Sequence, residues 1–246
     1  MEKQVFTTEQ MLSWTEGVRE IEKLINTKTF LGILKQSDAR WKEFWCSPEA
    51  GPVLGMNNGY YKGYEAIDNY YSARHEFTLL KAKLMKEAFP EKYENAEAEA
   101  LAGVGSLCVE NLSTHIIEVA GDGKTAKGIW YILTTDIDIG PSGEPEAYWY
   151  WGRMGIDFIK EDGAFKIWHM MYAEDLSGQM GYDWTKPQPD LGKDPRFAAI
   201  AEFKLPEPNV PCVVHENFHP HRQVKPIPGV PVRYNTFADT FSYTIM

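Results

Sequence analysis

The sequence predicts an α+β protein, with helices first and an antiparallel sheet after them. Three observations carry that reading. Apolar residues recur at helical spacing through the first ninety residues, the period changes to two from about residue 104, and tight glycine-containing turns separate the alternating runs that follow. A helix brings every third or fourth side chain to one face and a strand every second, so the switch of period marks a switch of element.

Residues 8 to 36 read as the first helix. Thr8 suits an N-cap, Glu9 the first turn, and Ile21, Leu24 and Ile25 fall on one stripe. A second helical stretch runs from Asp38 to Trp45 and stops at Ser47-Pro48. The chain up to Gly63 reads as a loop, and a long amphipathic helix over 64–89 ends at Phe89-Pro90. Strands are predicted over 104–119, 125–138, 147–160 and 164–173. Gly121-Asp122-Gly123, Gly140-Pro141-Ser142-Gly143 and Glu161-Asp162-Gly163 supply the turns, since glycine and Asp accept positive φ. Beyond residue 177 the periodicity fades, and ten of the 15 prolines lie between Pro187 and Pro231. Phe197, Phe203, Phe218, Tyr234, Phe237, Phe241 and Tyr243 need burial, so this stretch reads as an extended arm with anchors. The expected division is a domain over 1–177 and a proline-rich arm over 178–246, packed on its own or a neighbouring subunit.

Hydrophobic residues at 43% and charged residues at 24% are ordinary for a globular chain. Aromatics reach 13%, with 8 Trp and 13 Tyr, which suits either a cavity for a flat organic ligand or plain core and interface packing. The formal net charge of −10, with no cluster of Lys and Arg, argues against nucleic acid as a partner. Cys46, Cys108 and Cys212 are scattered, so neither a disulfide framework nor a zinc site is indicated. The opening MEKQVFTTEQ is no signal sequence, and no apolar run approaches a membrane span. The expectation is a cytoplasmic protein without a membrane partner.

Alternation places two histidines. In the last predicted strand His169 shares a face with Phe165, Ile167 and Met171, opposite Lys166, Trp168, Met170 and Tyr172. In the first, His115 shares a face with Ile117 and Val119, opposite Glu118. The lysine and the glutamate mark the solvated sides, so both imidazoles are expected to point inward, as pocket residues or as satisfied core histidines. Trp149, Trp151, Arg153 and Asp157 share a face of the third strand, where Arg153 and Asp157 form either a ligand-polarising pair or a rim salt bridge. His215, His219 and His221 with Glu216 are metal ligands by residue type, but their spacing fits no template and the expectation is no metal.

Several short segments resemble the SnoaL-like branch of the NTF2-like superfamily, which includes scytalone-dehydratase-like and bile-acid-dehydratase-like proteins. They are QSDARWKEFW at 36–45, GYYKGYEAI at 59–67, THIIEVAGDGKTAKGIWYI at 114–132 and GIDFIKEDGAFKIWHM at 155–170. Gly63 stands at the family's helix-entry glycine, and the likeness spans roughly residues 15 to 175. The resemblance implies a cone: a curved antiparallel sheet wrapped around N-terminal helices, with a pocket at the wide end. It also implies catalytic residues. Asp38 and His115 match an aspartate and a histidine that meet across the pocket, the histidine as acid and base and the aspartate as its orienter. Asp38 also suits an N-cap for a helix starting at Ala39. Tyr60, Tyr61 and Tyr64 fall near the pocket mouth in the family plan, and Trp151, Arg153 and His169 complete the expected substrate-binding set.

The functional expectation is a cofactor-independent lyase acting on an aromatic or polycyclic small molecule. Elimination of water is its default reaction, and retro-aldol cleavage of a carbon–carbon bond is a variant. The alternatives are a binding protein of the same fold, or an isomerase or cyclase using the same pocket. Trp168, Met170 and Tyr172 give the second sheet face an apolar character that calls for a cover, so a homo-oligomer, trimer or dimer, is expected, with the arm strapped across a neighbour or a pocket mouth.

Overall fold

A computed structural model describes residues 7–33, 36–183, 186, 192 and 194–244. Two long helices, α1 (Thr8–Ile33) and α2 (Tyr64–Ala88), stand against one seven-stranded sheet. Its four long strands are β3 (Leu107–Val119), β4 (Thr125–Ile139), β5 (Pro145–Glu161) and β6 (Ala164–Gln179). A short hairpin, β1 (Val53–Met56) and β2 (Gly59–Lys62), completes the sheet with the two-residue β7 (Val210–Pro211). The strand order is β3-β4-β5-β6-β1-β2-β7. Every pairing is antiparallel except β1 with β6, so the sheet is curved and mixed, not wholly antiparallel. Two short helices are α3 (Pro90–Tyr93) and α4 (Ala198–Glu202).

Most predicted elements are present. The stretch from Asp38 to Trp45 contributes only a 3₁₀ turn, Trp41–Glu43, and the segment read as a loop before Gly63 holds β1 and β2. The predicted end of the first helix and the arm's first two prolines, Pro187 and Pro189, fall partly outside the described residues.

The core explains the arrangement. Ile21 and Ile25 of α1, Ile67 and Tyr71 of α2, and Trp41 and Trp45 bury against the inner sheet face, where they meet Trp130, Ile132, Ile156, Phe158 and Ile167. At about 1.5–3 kcal/mol per fully buried large apolar side chain, this cluster is the main source of cohesion. Gly63 enters α2 at φ 89°, a left-handed value that glycine adopts without strain.

The outer face is covered by the chain's own C-terminal segment. Tyr243 packs with Val53, Tyr60, Met171 and Ala173. Gly121 and Asp122 donate backbone hydrogen bonds to the carbonyls of Tyr234 and Asn235. A Cβ at Gly155 would lie 2.6 Å from Pro228 and 2.7 Å from Tyr243, so the segment lies flush against the strand.

Candidate functional site

Between α1, α2 and the inner sheet face lies a cavity of about 930 Å³, within the range of small-molecule sites. Residue placement follows from local structure. On α2, Tyr70, Tyr71, Arg74 and Phe77 fall at three- and four-residue spacing and turn one stripe toward the cavity. Glu110 of β3, Thr134 and Asp136 of β4, Tyr150 and Met154 of β5, and Met170, Tyr172 and Glu174 of β6 come from the inner sheet face. Tyr61 of β2 closes one side and donates from its hydroxyl to the Pro206 carbonyl at 2.8 Å. Phe203 and Pro206 of the arm also line the space, with the Phe203 ring stacked on Phe77 at 4.7 Å.

Asp38 lines this cavity. Its Oδ2 accepts a hydrogen bond from Arg74 Nε at 2.9 Å, and only 16% of its side chain is exposed. The expected capping role is not what it does: the following 3₁₀ turn has Arg40 as N-cap and no side-chain cap bond. The phenols around it are held protonated. Burial pushes Tyr150 up to about 12, with Asp136 and Glu174 adding to the effect. Burial also raises Tyr61 to about 12. Tyr71 is pushed up by burial, then by Tyr70 and Asp38, and Tyr172 by burial, then by Glu110 and Glu174. At neutral pH these groups are hydrogen-bond donors with negligible acidity.

Neither of the two histidines expected to point inward lines the cavity. β3 carries an extra residue between Ser113 and Ile116, with Thr114 at φ 50°. Past this bulge His115 keeps the face of buried Ile117 and Val119, with its ring 6.4 Å from that of Trp130. But β3 is the edge strand, and the side chain is 45% exposed, with Nε2 3.1 Å from Glu22 Oε1 of α1. His115 does not line the cavity, and Asp38 pairs with Arg74 instead of with it. In β6, Asp157 stands opposite His169 while Phe158 stands opposite Ile167, leaving Trp168 as the extra residue. Beyond it the faces exchange. Met170 and Tyr172 line the cavity, and His169 goes to the outer face beneath the arm. There its Nδ1 sits 3.1 Å from Asp157 Oδ2, and its ring stacks on Trp168 at 4.2 Å.

The other expected binding residues divide in the same way. Tyr61 lines the cavity. Tyr60 is buried on the outer side with Met171 and Tyr243, and Tyr64 packs 4.7 Å from the Trp41 ring. Trp151 is on the outer face and 44% exposed. Arg153 makes a two-pronged pair with Asp175 at 2.9 and 2.6 Å, not with Asp157. His215 is buried with Nε2 at 2.9 Å from Asp175 Oδ1, while His219 and His221 are exposed. Among the described residues no group of three or more His, Cys, Asp or Glu is arranged to hold a metal ion, and no helix is long and apolar enough to cross a membrane. Tyr70, Arg74 and Tyr150 were not singled out by sequence reasoning, and Met170 and Tyr172, expected on the second face that called for a cover, line the cavity instead. The available signal was a tyrosine pair and an arginine on the same stripe of α2 as buried Ile67.

Fold and cavity define an α+β cone with a ligand-sized space between helices and sheet. The SnoaL-like domain profile matches residues 20–171, more than half of the chain, and the protein belongs to that family. Among solved structures, a candidate scytalone dehydratase from Novosphingobium aromaticivorans aligns at 10% identity and TM-score 0.49, covering 76% of this chain and 100% of its own. The hexachlorocyclohexane dehydrochlorinase LinA-type3 from Novosphingobium barchaimii aligns at 11% identity and TM-score 0.43, over 74% and 99%. An NTF2-like protein with a cystatin-like fold from Novosphingobium aromaticivorans gives 14% and 0.45, over 71% and 92%. No curated protein matches the chain.

Proposed function

We propose that the protein is a cofactor-independent lyase that eliminates water from an aromatic or polycyclic small molecule held in the cavity. One observation carries this reading. Asp38 presents a carboxylate on the wall of a phenol-lined space, with Oδ2 fixed by Arg74 and Oδ1 without a partner among the described residues. A fixed carboxylate with a free oxygen is equipped to take a proton from carbon. The base is therefore Asp38 and not His115.

The step balances without a co-reactant. Asp38 Oδ1 takes the proton next to a carbonyl, and the C–H electron pair becomes an enolate. The enolate collapses to expel hydroxide from the β-carbon, and that hydroxide leaves as water with the proton Asp38 returns. Return of the proton to another carbon instead gives an isomerisation.

The probe is 3-hydroxy-1-tetralone, whose dehydration yields fluorescent 1-naphthol. The parent protein is expected to form 1-naphthol above background, and Asp38→Asn to lose about 10²–10⁴ in rate. A second reading, a binding protein without chemistry, is favoured by the absence of a histidine lining the cavity among the described residues. Saturable binding of the tetralone with no product above background would establish it.

A further inference from the structure

Arg74 is used incompletely by the protein. Its Nε serves Asp38, and the guanidinium carbon sits 5.8 Å from the centre of the Tyr70 ring. Neither Nη group has an acceptor among the described residues, although Arg74 lines the cavity. An arginine carries five N–H donors, so most of this fork is unspent. The arginine of the outer face is different: both prongs of Arg153 are taken by Asp175, and Nη2 also donates to the Lys225 carbonyl at 3.1 Å.

We infer that the free Nη donors of Arg74 bind a carbonyl oxygen of the substrate and take up the negative charge that forms on it when Asp38 removes the neighbouring proton. This rests on the cavity being the reaction site proposed above. One residue thereby fixes the base and receives the developing oxyanion, which sets oxygen and C–H side by side in the bound molecule.

The cavity also selects among oxygen functions. Asp38, Glu110, Asp136, Glu174 and Glu207 line it, against Lys28, Arg74 and Lys204. Among the described residues, five carboxylates to three cations disfavour a carboxylate or phosphate ligand. The substrate class is therefore a neutral aromatic ketone or aldehyde, with its rings against the tyrosines.

Binding of three naphthalenes by equilibrium dialysis tests this without turnover. 2-Acetylnaphthalene is expected to bind about tenfold or more tightly than 2-ethylnaphthalene, the usual scale of a hydrogen bond to a charged donor, and more tightly than 2-naphthoate. Arg74→Gln should abolish the advantage of the acetyl compound over the ethyl one, whereas Asp38→Asn should retain it. If Arg74→Gln fails to fold, as judged by near-ultraviolet circular dichroism, Arg74→Lys serves in its place, because a point charge loses the planar fork. Equal binding of the acetyl and ethyl compounds, no binding of either, or an advantage that survives loss of Arg74 overturns the assignment. A tighter naphthoate overturns the ligand class. An Arg74-dependent advantage together with undiminished turnover in Asp38→Asn would leave Arg74 as the carbonyl anchor and remove Asp38 as the base, so the two readings fail separately.

Discussion

Two carboxylates on opposite sides of the sheet have opposite surroundings. Asp38, on the inner side, spends one oxygen on one arginine and has no partner on the other among the described residues. Asp157, on the outer side, is completely buried. Its Oδ1 accepts from Lys127, while Oδ2 accepts from Ser242 Oγ at 2.9 Å and Tyr243 N at 3.0 Å and faces His169 Nδ1 at 3.1 Å. Lys127 is equally buried, bonded also to the Phe241 carbonyl, with the Tyr243 and Phe241 rings 4.2 and 4.4 Å from its ammonium. By residue type the outer cluster, with Asp, Lys, His and Ser, is the more catalytic-looking of the two. Saturation decides otherwise. Both carboxylate oxygens of Asp157 are engaged, Oδ1 by Lys127 and Oδ2 by the arm's Ser242 and Tyr243.

The largest effect that sharpens this contrast is on stability. Asp157→Ala leaves the Lys127 ammonium buried without its counter-charge, and should cost about 3–5 kcal/mol in urea unfolding. Removing both charges, as Lys127→Met with Asp157→Leu, should recover much of that loss. An Asp157→Ala protein as stable as the parent would break the distinction between the two faces.

Alkaline titration comes next. Tyr61 and Tyr150 have folded-state values raised from 10.0 to about 12, by burial first in each case. A raised folded-state value means the contribution to stability is complete below pH 10 and is lost as pH climbs through about 12. Thermal midpoints should therefore fall across that window, and the phenolate absorbance of these two groups, taken as the difference from Tyr61→Phe and Tyr150→Phe, should appear together with unfolding. A difference signal already present in the folded protein near pH 10 would contradict the buried, donor-only role given to these groups.

The smallest effect is at His115. Its contact with Glu22 joins two half-exposed side chains, so His115→Ala should change stability by less than about 1 kcal/mol and leave 1-naphthol formation unchanged. A large loss of turnover would return His115 to the mechanism.

The fold was legible because its long elements carry unbroken periods. β1 and β2 were missed because four residues each are too few to show a period, although Asn57-Asn58 before Gly59 is turn chemistry for a hairpin. Of the residues expected at the site, Asp38 and Tyr61 line the cavity. His115 keeps the face of Ile117 and Val119 but stands on the edge strand β3, where it reaches Glu22 instead of the cavity. His169 lies just past a single-residue bulge, and one inserted residue exchanges the two faces of a strand. Alternation counted along the sequence cannot see an insertion defined by the partner strand. Arg74 escaped because a charge on an apolar helix stripe gives no sign of how many of its donors the fold will consume.

The parallel pairing of β1 with β6 sets a timetable for the chain. Val53 finds its partner in His169, and the hairpin that carries Leu54, Met56 and Tyr61 into the cavity wall is held between β6 and the arm's Val210. During synthesis the helices and the β3–β5 meander can form from near neighbours, but the first hairpin waits, unpaired on one edge, until the last long strand has left the ribosome. Distant closures of this kind slow folding and lengthen exposure of an open strand edge. The cavity wall thus draws on both ends of the domain and cannot be complete before β6 and the arm's Phe203 and Pro206 have been made.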